Sequence, residues 1–66
     1  MEFKYNSKLF IKIKESGITQ VELAKKIGIQ PYELSYIISG RMNPKEEEIK
    51  ALSKALKCEI SEIFDE

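Results

Sequence analysis

Residues 20–39 read QVELAKKIGIQPYELSYIIS, two short amphipathic stretches on either side of Gly28. Apolar residues recur at helical spacing in both. Leu23, Ala24 and Ile27 continue a stripe that begins at Gln20, and Leu34, Ile37 and Ile38 form a second stripe. Each stretch therefore predicts a helix with one buried face. Ala24 is the small member of the first stripe, which lets another helix cross it closely. Gly28 can take the left-handed conformation that ends a helix without steric penalty, and Ile29 follows to plug the corner.

A connection this short fits the three-to-four-residue turn of a helix-turn-helix unit, whose helices meet at a steep angle. A helical hairpin in a small bundle is the competing reading. Working outward, Ser7–Ser16 predicts a first helix with Leu9, Phe10 and Ile13 on one face and Gly17 at its end. Thr19 caps the second helix, and Glu22 three residues later completes a capping box. Gln30 precedes Pro31, which suits a first helical turn because its missing N–H would be unpaired there anyway. Asn43, Pro44 and Glu46 repeat that logic for a fourth helix, with Ile49, Leu52, Ser53 and Leu56 pointing inward. A short fifth helix over residues 60–64 closes the core with Ile60, Ile63 and Phe64. The expected fold is all-α, five helices in one domain over residues 1–66, with a core of residues 7–64.

The segments GITQVELAKKIG, ISG before Arg41, NPKEEEIKALSKAL and ISEIF resemble the Xre, or lambda-repressor-like, family over about residues 7–64. The resemblance implies a five-helix DNA-binding domain, usually dimeric, that binds an operator and regulates transcription. Two departures stand out. Relatives place an Arg in the first helix and a Glu near the end of the third, where this chain has Ile13 and Ile38. Replacing both partners of a buried ion pair with hydrocarbon avoids an uncompensated charge, so Ile13 and Ile38 are expected to touch. Relatives also end the fourth helix with Gly and cap the fifth with Ser or Asp, where this chain has Lys57 and Glu59.

With 66 residues, there is room for one small core, of modest stability unless the chain dimerises. No apolar run approaches the roughly 20 residues of a membrane span, and the start lacks the apolar region of a signal peptide. No membrane association is expected, and the expected location is cytoplasmic. A single cysteine, Cys58, permits no internal disulfide, which fits a reducing compartment; its expected place is the core. Net charge is zero but unevenly spread. Residues 1–45 hold eight Lys/Arg against four Asp/Glu, and residues 46–66 hold three against seven. The predicted reading unit lies in the basic part, which orients the chain toward phosphate.

Enzymatic chemistry finds no purchase. There is no histidine, no Gly-rich phosphate loop and no cysteine pair. Glu46, Glu47 and Glu48 are consecutive, so a helix fans them apart rather than onto one metal, and the dipole at a helix start accounts for them. No cofactor, metal or small-molecule ligand is expected.

The candidate DNA contacts follow from the helical wheel. Leu34, Ile37 and Ile38 centre on one direction of the third helix, and Tyr32, Ser35, Tyr36 and Ser39 lie opposite. Gln30 and Pro31 sit at the tip that would enter the major groove deepest. Gln can pair bidentately with adenine, Ser can bond several base edges, and a tyrosine ring can lie against thymine methyls. The family's base-reading positions fall on Gln30, Pro31, Tyr32, Ser35 and Tyr36. Thr19 and Gln20, at the positive end of the second helix, are assigned to phosphate, together with Ser39, Arg41, Asn43 and Lys45 on the other flank. Pro31 and two tyrosines stand where relatives carry polar or basic residues, and Glu33 adds a negative charge near the phosphates. Exposed tyrosines also suit a protein interface.

Residues 1–6 alternate Phe3 and Tyr5 with Glu2 and Lys4, which predicts an ordered arm, either a strand pairing with a second subunit or a segment lying on the first helix. The functional expectation is a homodimeric repressor that inserts its third helix into an operator. A protein-interaction adaptor, such as the antitoxin of a toxin pair, is the alternative.

Overall fold

The computed structural model describes residues 5–64. In these the chain forms four α-helices, α1 (Ser7–Ser16), α2 (Gln20–Ile27), α3 (Pro31–Ser39) and α4 (Glu46–Ala55), and a closing 3₁₀ turn over Ile60–Glu62. Among the described residues there is no strand.

The capping box of α2 forms as the spacing requires. The Thr19 hydroxyl oxygen accepts from the Glu22 N–H at 3.1 Å, and the Glu22 carboxylate accepts from the Thr19 N–H at 3.3 Å. Gly28 then ends the helix at φ 81°. The Gly28 N–H donates to the Lys25 carbonyl and the Ile29 N–H to the Ala24 carbonyl, the paired bonds of a Schellman motif. Pro31 is the first residue of α3, and Gly40 closes it at φ 84°.

The buried apolar residues are Leu9, Ile13, Leu23, Ala24, Leu34, Ile37, Ile38, Leu52, Leu56 and Ile63. They form one cluster, with Phe10, Ile18, Ile27, Ile29, Met42, Ala55, Cys58 and Phe64 packed around it. Ala24 is fully buried, and α2 packs on both α3 and α4. Ile13 and Ile38 both belong to the cluster. Ile49 and Ser53 are half-buried rather than central.

Three expectations need correction. The fifth helix is only a single 3₁₀ turn. Ile63 is buried behind it, whereas Ile60 is half-exposed. The stretch between Lys57 and Phe64 is too short to repay the cost of nucleating an α-helix, and burial of Ile63 fixes a single turn instead. The second correction concerns the start of α4. The capping residue is Lys45, not Asn43, and its N–H donates to the Glu48 carboxylate at 2.8 Å. Three consecutive glutamates offer three registers for that bond, and local spacing does not choose between them.

The third concerns Asn6, assigned on sequence to the arm. It is the N-cap of α1, its Oδ1 accepting from the Leu9 N–H at 3.0 Å. Its Nδ2 donates to the Ile63 carbonyl at 2.7 Å, and its backbone N–H donates to the Ile38 carbonyl at 2.7 Å. One residue thus joins α1, the end of α3 and the C-terminal turn. The rest of the expected arm, residues 1–4, lies outside the described residues.

Candidate nucleic-acid interface

The outward face of α3 follows from its inward face. With Leu34, Ile37 and Ile38 buried, Tyr32, Ser35 and Tyr36 fall on the opposite side of the helix. Gln30, Pro31, Tyr32, Ser35 and Tyr36 are all exposed, Tyr32 by 60% and Tyr36 by 41%. Tyr32, Ser35 and Tyr36 form an uncovered ridge on that side, with Gln30 and Pro31 exposed at its amino-terminal tip. The tyrosines lie one helical turn apart and meet edge to face, with ring centroids 5.8 Å apart and planes at 75°, a favoured aromatic geometry.

Glu33, the acidic residue beside the ridge, has a local task. Its carboxylate accepts from the Gln30 N–H at 3.1 Å, which satisfies one of the unpaired donors at the start of α3.

The expected phosphate-binding residues fall on both flanks. At the start of α2, Thr19 is exposed and Gln20 half-buried. The Thr19 hydroxyl also donates to the Glu22 carboxylate at 2.9 Å, so its proton is engaged in the cap. On the other flank, Ser39 is half-buried and its hydroxyl donates to the Tyr36 carbonyl at 3.2 Å. Arg41 is exposed, and its guanidinium carbon lies 6.0 Å from the Tyr36 ring centroid, at the outer limit of a cation–π contact. Asn43 is exposed and lines a surface groove of about 340 Å³ with Met42, Pro44 and the start of α1. Lys45 is exposed at the start of α4.

Residues 10–63 match the helix-turn-helix family, four-fifths of the chain. The chain belongs to the Xre/lambda-repressor-like helix-turn-helix family. A comparison with curated proteins returned no match. In this helix-turn-helix chain α2 and α3 are the paired helices, and the exposed residues of α3 include Tyr32 and Tyr36. Among the described residues no helix is long and apolar enough to cross a membrane.

Sequence reasoning missed how α1 holds the C-terminal turn. Lys8 Nζ donates to the Ser61 carbonyl at 2.7 Å, and Lys12 Nζ to the Glu62 carboxylate at 3.3 Å. Two of the lysines counted in the basic part are thus directed at the turn. The Glu59 N–H and then Lys12 hold the Glu62 carboxyl below the usual carboxylate range. The hydrogen bond to Glu62 raises the Lys12 ammonium in turn. Burial pushes the Cys58 thiol up, away from the thiolate that reactivity needs.

Proposed function

We propose that this chain is a sequence-specific DNA-binding regulator, a repressor, that inserts α3 into the major groove of an operator. The observation that carries the reading is the uncovered ridge of Tyr32, Ser35 and Tyr36, with Gln30 and Pro31 exposed at its tip, on a helix whose other face is core. Gln20 and the first N–H groups of α2 take one phosphate run, and Arg41, Asn43 and Lys45 take the other. Thr19 caps α2 and Ser39 bonds back to the Tyr36 carbonyl, and each borders the phosphate run on its own flank. The working form is a homodimer whose half-sites lie about one helical turn, roughly 34 Å, apart, with the C-terminal turn and the amino-terminal segment as the proposed contact. A cytoplasmic setting suits the single cysteine, and the proposal invokes neither catalysis nor a cofactor.

Titration with duplex DNA over a range of salt concentrations tests the reading. Each phosphate neutralised contributes a log–log slope of about −0.9, so a steep fall of affinity with salt is expected. A chain that binds duplex without that slope, or not at all, is an adaptor. The exposed tyrosine pair is the observation that favours that second reading, because tyrosine is enriched at protein interfaces.

A further inference from the structure

The ridge of α3 carries no cation. Its exposed residues are Gln30, Pro31, Tyr32, Ser35 and Tyr36, and the half-buried Glu33 beside it is turned back to the Gln30 N–H. The commonest specific reader of guanine is a bidentate Arg or Lys on the inserted helix. The single arginine of the chain, Arg41, follows α3 rather than lying on it, and its guanidinium faces the Tyr36 ring. Tyr36 thus meets the Tyr32 ring edge to face and has the Arg41 guanidinium 6.0 Å from its centroid. A ring held in this way loses little further rotamer freedom when it docks.

What such a ledge offers the groove is flat apolar area, with Gln30 and Ser35 as its hydrogen-bonding groups. The matching apolar feature of the major groove is the C5-methyl group of thymine. We propose that the Tyr32–Tyr36 ledge reads thymine methyl groups, so that the chain selects half-sites built on A·T pairs, with Gln30 pairing to adenine. This rests on the DNA-binding reading above. Arg41 is a positioning residue that steadies Tyr36 in addition to meeting phosphate.

Two random duplex libraries test it, one made with thymine and one with uracil throughout, each selected on the full chain at low salt. The expected result is a thymine-bearing motif enriched from the first library alone. Remaking that duplex with uracil at single positions should weaken binding about fourfold at each contacted step, the weight of one buried methyl group. Tyr36→Ala, checked for unchanged helix content by circular dichroism, should abolish the thymine–uracil difference. Arg41→Gln should narrow it, which loss of a phosphate contact alone would not do. A motif enriched equally from both libraries, or one centred on G·C pairs, overturns the proposal and leaves DNA binding intact. Enrichment of nothing from either library overturns the DNA-binding reading itself, so the two failures are distinguishable.

Discussion

Lys57 has a φ of 55°, the one positive value among the described non-glycine residues. Its N–H donates to the Lys54 carbonyl, and the Cys58 N–H to the Ser53 carbonyl, the same paired bonds that end α2 at Gly28. A side chain in that conformation costs roughly 1–2 kcal/mol. Lys57→Gly should therefore stabilise the fold by about 0.5–1 kcal/mol once the greater freedom of the unfolded chain is deducted, read as a higher urea midpoint. The family pattern flagged this position, because a helix end that usually carries Gly carries Lys here. Asn6 was equally open to reading, since Asn directly before a helix is a preferred cap. Its bonds to Ile38 and Ile63 join residues far apart in sequence, and no local pattern encodes those. Asn6→Ala removes the cap and one tertiary donor, leaving the Ile63 carbonyl short of a partner. It should cost about 1–3 kcal/mol by the same assay.

At the scale of elements, α2 and α3 were legible almost to the residue because their signals are strong and local. A capping box, a glycine at the turn and a proline at a first turn coincide with stripes of helical period. The buried face of α3 followed directly from its stripe, and Tyr32, Ser35 and Tyr36 are exposed opposite it. The start of α4 was not legible, because three glutamates in a row blur the register of the cap. The last element was misjudged in kind, since an apolar triplet cannot distinguish an α-helix from one 3₁₀ turn packed against α4. The roles of the two paired helices separate by mutation. Gln20→Ala should weaken binding to all duplexes alike, whereas Tyr36→Ala should erode the preference for a selected sequence over a random one, both read from dissociation constants at fixed salt. Equal loss on both kinds of DNA from both variants would reverse the assignment.

For the whole molecule, charge serves the fold as well as the proposed partner. Lys8 and Lys12 tie α1 to the C-terminal turn, so the basic excess of residues 1–45 overstates what α2 and α3 present to DNA. That distinction needs coordinates, because a count of charges carries no direction. The Glu62 carboxyl is held below the usual carboxylate range, first by the Glu59 N–H and then by Lys12. A group whose pKa is depressed in the folded state stabilises the fold above the unfolded pKa, and that contribution fades as pH falls through the folded value. Acid should thus loosen the turn, and Glu62→Gln should flatten the decline in urea midpoint below the usual carboxylate range. High salt should reproduce part of the flattening, because the Lys12–Glu62 pair is only partly covered and is screened.

The central claim is that the tyrosine-bearing face of α3 is what meets the major groove. Amide chemical-shift mapping during titration with a selected duplex tests it most directly. The predicted result is that perturbations concentrate on residues 30–36, flanked by Thr19, Gln20 and residues 41–45, while the outer faces of α1 and α4 stay still. Perturbations centred on α1 or α4, with Tyr32, Ser35 and Tyr36 unmoved, would contradict it.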